Sequence, residues 1–178
     1  MKKQIEKKSA ESSGKSVMRN IRIEKVVLSV GGTAENLEKG VKLLALLTNR
    51  KPAKIKSKKR IPTLKVRPGL EVGAVVTIRK EKEKFLKRML EAIENVLKKK
   101  QMSENNFSFG IEEYLEIPGT EYQRDIGIMG LDVTVVFKRA GRRIKLRKIK
   151  RGKVPKRQMI SKEEIIKFME DNFQTKFI

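Results

Sequence analysis

The 178-residue chain has no cysteine, no histidine and no tryptophan, and aromatic residues make up only 5% of it. Without cysteine there is neither a disulfide framework nor a thiolate zinc site, and a reducing compartment is compatible with the composition. Without histidine the usual general base near neutral pH and the commonest nitrogen ligand of zinc are missing as well. That argues against hydrolases and metalloenzymes, leaves only carboxylate or lysine chemistry, and implies no cofactor. The longest apolar runs, such as Leu43 to Leu47, fall far short of the roughly 20 residues a spanning helix needs, so no membrane partner is expected. Lys2, Lys3, Lys7 and Lys8 precede no apolar segment, so the start does not read as a secretory signal; residues 1–17, with Ser9 to Ser16 and Gly14, read as a flexible basic tail.

The most informative absence is local. From Lys39 to Leu70 there are 11 Lys/Arg and no Asp or Glu, and from Lys138 to Arg157 there are 12 and again none. The chain carries 44 basic and 21 acidic residues, a formal net charge of +23, so these two windows hold the entire excess. Charge that served solubility alone would be mixed over the surface. Like charges crowded into two segments repel one another unless a polyanion neutralises them, which points to RNA or DNA phosphate.

At this length residues 18–178 fit one α+β domain with an adequate core. Period-two apolar residues predict strands over Ile21 to Val30, Val72 to Arg79, Phe107 to Ile117 and Leu131 to Phe137, with an extended segment from Lys51 to Ser57. Helical spacing of Leu37, Val41, Leu44 and Leu47 predicts a helix capped by Thr33 and ending near Asn49. A longer helix is predicted from Glu81 to Lys100, with Phe85, Met89, Ile93 and Val96 on one face and Lys98-Lys99-Lys100 at its negative pole. Ser161 and Glu164 form a capping-box pattern for a last helix bearing Ile165, Phe168, Met169 and Phe173. The expected architecture is a curved, largely antiparallel sheet with helices packed on one face, plus extended basic loops at residues 51–67 and 138–157.

In the first basic loop Lys54, Lys56 and Lys58 would share one strand face and Arg60 would extend the stripe. The second reads as a short twisted strand and a mobile arm, its base held by Ile144, Leu146 and Ile149. Nuclear targeting and edge protection are the rival readings of such runs. Gly14-Lys15-Ser16 mimics the end of a phosphate-binding loop, but Ser9 stands where the required earlier glycine belongs. Glu112, Glu113 and Glu116 read as exposed strand carboxylates rather than a catalytic set, since neighbours on a strand point to opposite faces. Phe107 and Phe109 are spaced to stack bases or to pack a core, and packing is the favoured reading.

Several spaced segments then resemble one family, the universal large-subunit ribosomal protein five, in its archaeal or eukaryotic form. They are Lys51-Pro52 with Lys56, Lys58, Lys59, Lys65 and Arg67; Gly69, Gly73 and Val76-Thr77-Ile78-Arg79; Asn106-Phe107-Ser108-Phe109-Gly110-Ile111-Glu112-Glu113; Ile117-Pro118, Tyr122 and Gly130-Leu131-Asp132-Val133. The resemblance runs from Met18 to the C-terminus. It implies a structural, cytoplasmic, ribosome-bound protein that binds 5S rRNA in the central protuberance and touches P-site tRNA. Further implied partners are large-subunit rRNA, neighbouring ribosomal proteins of the protuberance and the small-subunit head. By position it implies tRNA contact from Lys56, Lys58, Lys59, Arg60 and Lys65, and rRNA contact from Ser29, Arg50, Thr77 and Arg79. Ser29 stands where bacterial members carry Asn, Arg50 where they carry Gln, and Leu64 replaces a usual Phe. Charge alone adds Arg142, Arg143, Lys145, Arg147, Lys148, Lys150, Arg151, Lys153, Lys156 and Arg157 as rRNA ligands. A sequence-tolerant nucleic-acid-binding protein is the alternative, and an RNA-modifying enzyme would need a cofactor loop or activated nucleophile that the chain lacks.

Overall fold

The computed structural model describes residues 17–178. The expected tail, with its Gly14-Lys15-Ser16 motif, lies outside the described residues except for Val17, which opens a 3-10 turn (Val17–Arg19). Eight strands follow: β1 (Arg22–Gly31), β2 (Ala53–Lys56), β3 (Glu71–Ile78), β4 (Val96–Leu97), β5 (Met102–Ser103), β6 (Asn106–Ile111), β7 (Leu131–Lys138) and β8 (Lys176–Phe177). The helices are α1 (Glu35–Thr48), α2 (Lys82–Glu91), the single-turn α3 (Arg143–Leu146) and α4 (Lys162–Phe173).

Six strands form one antiparallel sheet in the order β2-β3-β1-β7-β6-β5, while β4 and β8 pair in parallel as a separate ribbon. The alternation read from the sequence divides this sheet into two unlike faces. Register places Val26 opposite Ile78 and Val135, and Leu28 opposite Val76 and Val133, and all of these are buried. Leu37, Leu43, Leu44 and Leu47 of α1, Leu86, Met89 and Leu90 of α2, and Ile165 and Met169 of α4 enter the same apolar cluster. Helices thus cover one face, as expected. Phe107 and Phe109 point into this core, and the rings of Phe107 and Phe137 stack at 5.8 Å, so their role is packing.

The capping box of α4 forms as read: Glu164 N–H donates to Ser161 Oγ at 3.3 Å and Ser161 N–H to Glu164 Oε2 at 3.1 Å. Four other expectations are corrected. The helix expected to reach Lys100 ends at Glu91, because Glu94 and Asn95 take left-handed φ values of 52° and 58° and the Asn95 N–H closes on the Leu90 carbonyl. The chain then leaves as β4 to pair with the C-terminal β8, and Lys99 and Lys100 sit in a 3-10 turn (Lys99–Gln101) instead of at a helix pole. Thr33 does not cap α1; Ala34 holds that position without a side-chain hydrogen bond, and Glu35 and Glu38 supply acid to the first turn. The strand from Phe107 stops at Ile111, after which Tyr114–Glu116 is a 3-10 turn anchored by the buried Tyr114 ring, so Glu112, Glu113 and Glu116 are not strand residues. Residues 142–157 hold no strand, only α3 and a 3-10 turn (Lys156–Gln158).

Candidate nucleic-acid interface

Sheet register decides where the two basic windows go. β1 runs from Arg22, opposite Lys138, to Gly31, opposite Gly73. β2 and β3 are therefore joined at the Gly31 end, and the chain after β7 departs at the Arg22 end. A ten-residue strand spans about 30 Å, so the two concentrations of charge stand at opposite ends of the sheet.

The β2–β3 connection is a built hairpin. Ser57 and Leu70 close its base at 2.8 Å, Ile61 and Val66 exchange backbone hydrogen bonds at 3.0 and 3.1 Å, and the Val66 side chain is buried. Its tip is a 3-10 turn (Pro62–Leu64) followed by Lys65 at φ 53°, with Leu64 67% exposed. Lys56, Lys58, Lys59, Arg60 and Lys65 are all exposed. They do not form the expected strand stripe: only Lys54 and Lys56 belong to β2, a register shift separates Ile55 from Lys56, and Lys54 is spent on Glu71 at 3.2 Å. The cations radiate from a hairpin rather than lining a strand.

The base of the second window is not held by its apolar residues. Ile144, Leu146 and Ile149 are exposed, and polar contacts hold the base instead. The Arg139 side chain is only 9% exposed, and its guanidinium donates from Nη2 to both Glu164 carboxylate oxygens at 2.6 Å and from Nη1 to the Arg157 carbonyl. Arg142 pairs with Glu24 at 2.6 Å and donates to the Phe137 carbonyl. Asn105 exchanges hydrogen bonds with the Ile160 backbone at 3.0 and 3.2 Å. Both ends of the segment are thereby tied to the sheet and to α4. Gly152 packs against Ile144 so closely that an added Cβ would sit 2.8 Å from Ile144 Cγ2. Arg142 is engaged within the protein. Arg143, Lys145, Arg147, Lys148, Lys150, Arg151, Lys153, Lys156 and Arg157 are exposed and lack ion pairs among the described residues.

Between these ends lies the uncovered face of the sheet. Ser29 faces Val75 and Asp132, while Val27 faces Thr77 and Thr134, so Ser29 and Thr77 are diagonal neighbours, about 7–8 Å apart by sheet geometry. The same register adds Ser108, opposite Thr134, and Asn106, opposite Val136. None of these three, Thr134, Ser108 and Asn106, was assigned to the site from the sequence, although their alternation with buried neighbours was the signal for them. Over the middle of this face the central strands bring formal charge only at Lys25 and Asp132; Arg22 with Lys138 opposite it, and Glu71, stand at its two ends. Arg50 donates from Nη1 to the Thr77 carbonyl at 3.3 Å, on the part of β3 that extends past its pairing with β2, and Arg79 lies exposed just beyond β3. Small hydroxyl and amide side chains at the centre of such a face can read 2′-hydroxyls and phosphates by hydrogen bonding, with cations concentrated at either end. Among the described residues no group of His, Cys, Asp or Glu converges to hold a metal, and no helix is long and apolar enough to cross a membrane.

Two family models cover this arrangement: Ribosomal protein L5 matches residues 16–67, and the model of the same ribosomal family's C-terminus matches residues 71–168. The chain belongs to the ribosomal L5 family. It is 43% identical over 165 residues to the large ribosomal subunit protein uL5 of Nanoarchaeum equitans, covering 90% of this chain and 98% of that relative. The uL5 proteins of Picrophilus torridus and Pyrobaculum aerophilum are each 41% identical, over 166 and 157 residues; the alignments cover 90% and 86% of this chain and 94% and 88% of those relatives. The chain is thus an archaeal-type uL5-family protein of the large ribosomal subunit: a ribosome-bound cytoplasmic component with rRNA and ribosomal proteins as partners, and not an enzyme. The boundary between the two uL5 family models falls in the basic hairpin, yet β3 from the second part inserts between β1 and β2 of the first, so neither part completes the sheet alone.

Proposed function

We propose that this uL5-family protein binds 5S rRNA in the central protuberance through its open sheet face, as one RNA-binding domain over residues 18–178. Ser29 and Thr77 supply hydroxyls at the centre, and Arg50 and Arg79 add charge at the edge. The hairpin cations Lys56, Lys58, Lys59, Arg60 and Lys65 contact P-site tRNA. The exposed cations from Arg143 to Arg157 contact large-subunit rRNA, and neighbouring proteins of the protuberance and the small-subunit head complete the surroundings. The observation that supports this reading is the placement of two unneutralised cation clusters at opposite ends of a hydroxyl-bearing face whose centre carries little formal charge. A protein that recognised phosphate by charge alone would crowd its cations over the centre of the face.

Counterion release makes such binding steeply salt-dependent. If about half of the excess cations touch phosphate, the log-log slope is on the order of −8 to −10. The deciding experiment compares salt-dependent affinity for 5S rRNA with that for an unrelated RNA duplex of equal length. A preference of about 100-fold, roughly 2.7 kcal/mol, that persists as salt rises supports shape-specific recognition. Two equal and equally steep curves, matched by random duplex DNA, would show sequence-tolerant binding and overturn it.

A further inference from the structure

Where the C-terminal end of α1 meets the start of α2, the structure forms a groove of about 410 Å3 of whose lining the contacts proposed so far use only Arg50. Its apolar lining is Leu47 and Ile78, both buried, and the half-buried Phe85. Arg50, Lys80, Lys84 and Arg88 also line it, against a single carboxylate, Glu81. Lys80, Lys84 and Arg88 recur at intervals of four, so they share one side of α2 and its approach. Arg50 arrives from the other wall, held to the Thr77 carbonyl, and Arg88 is held through Nε to the Pro118 carbonyl at 2.6 Å, which fixes its stem and leaves its terminal nitrogens unspent. None of the four forms an ion pair among the described residues. The positive pole of α2 is offset here by the negative pole of α1, so the side chains set the sign of the local potential.

A solvated lysine face requires neither a concavity nor an apolar lining. Four cations around one acid in a groove favour an anion. The volume falls in the range of small-molecule sites and exceeds what a lone phosphate fills. An unpaired nucleotide matches both halves of this chemistry, with an apolar ring face to lie on Phe85 and phosphates to meet the cations. We propose that this groove holds one unpaired nucleotide of the bound RNA. The site lies on the helix-covered side of the sheet, around the edge of β3 from the open face. It rests on the RNA-binding reading and adds a second kind of contact to it.

The test uses the full chain, a 5S rRNA transcript and free adenosine monophosphate as probes. Replacing Lys80→Gln with Lys84→Gln should flatten the salt slope by about 1 to 2 and weaken binding about tenfold. Phe85→Leu should weaken it about 5- to 100-fold with an unchanged slope. In both variants the same nucleotide should become newly reactive to base-modifying reagents, while Lys162→Gln with Lys167→Gln on α4 changes nothing. Circular dichroism and melting temperature establish that each variant folds. Groove variants that behave like the α4 control overturn the proposal, as does Phe85→Leu with unaltered nucleotide reactivity, or submillimolar binding of the free mononucleotide with an unaltered RNA footprint. Failure of the wild-type protein to prefer 5S rRNA would instead overturn the RNA-binding reading, before any variant is compared.

Discussion

Replacing Glu164 with alanine removes the counter-charge of Arg139 and one half of the α4 capping box in a single step. The Arg139 side chain is only 9% exposed, so water cannot fully replace the lost carboxylate, and a buried cation left without its partner is strongly destabilising. Hydrogen bonds to charged groups contribute about 1.5–3 kcal/mol, but Glu164 is itself 44% exposed, which places the pair toward the lower end. The lost contact to the Ser161 N–H adds about 0.5 kcal/mol. The expected cost is about 2–3 kcal/mol, or a melting temperature lowered by about 5–10 °C for a chain of this size. A far-UV circular dichroism melt of the full chain reads it, with the exposed neighbour Glu163→Ala as control, expected within about 0.5 kcal/mol of wild type. Because the pair ties the second basic window to α4, trypsin should also cut between Arg142 and Arg157 faster in the variant. Adding Arg139→Met to Glu164→Ala should recover part of the loss by removing the stranded charge. A drop below about 2 °C, or one no larger than that of Glu163→Ala, would refute the claim that this ion pair anchors the segment.

Lys58→Glu with Lys59→Glu, at the hairpin end of the sheet, should abolish tRNA-dependent function in ribosomes while leaving 5S rRNA affinity within about threefold in filter binding, on the order of 0.65 kcal/mol. Equal loss of both would show that the two ends do not divide the work. Ser29→Ala with Thr77→Val removes two hydroxyls from the open face and should cost about 1 kcal/mol each in 5S rRNA affinity with the salt slope intact; an altered slope would place their effect on phosphate. Gly31→Val adds a side chain that meets no atom within 4 Å at its Cβ. Its melting temperature should therefore match wild type within about 2 °C, while RNA affinity falls if the backbone of the partner approaches this end closely; unchanged affinity would clear Gly31 from the interface.

What was legible in the sequence was local. Ser161 and Glu164 lie three residues apart and satisfy each other within one helical turn, so their pattern identifies the start of α4 without any tertiary information. The strands around Val26, Val76 and Val133 were legible because alternation is a property of each strand alone. The end of α2 was not, because Val96 and Leu97 exchange helical bonds for pairing with Lys176 and Phe177, which no window around Glu91 contains. The second basic window misled for the same reason. Its interleaved Ile144, Leu146 and Ile149 resemble a strand, but a strand needs a partner edge, and Arg139, Arg142 and Asn105 tie the segment down elsewhere.

By itself the sequence determined the chemistry: no thiol or imidazole, a sheet with one apolar face, and +23 of charge gathered into two acid-free windows. Those are properties of composition and short spacing, and they suffice to name a polyanion as the partner. Only the tertiary structure decided geometry. Antiparallel register sends the two windows to opposite ends, brings Ser29, Thr77, Thr134 and Ser108 onto one open face, and sets Arg50 across a groove from Lys80, Lys84 and Arg88. Each juxtaposition joins residues distant in the chain, and their distance apart is fixed by strand pairing and helix packing rather than by the identity of either residue.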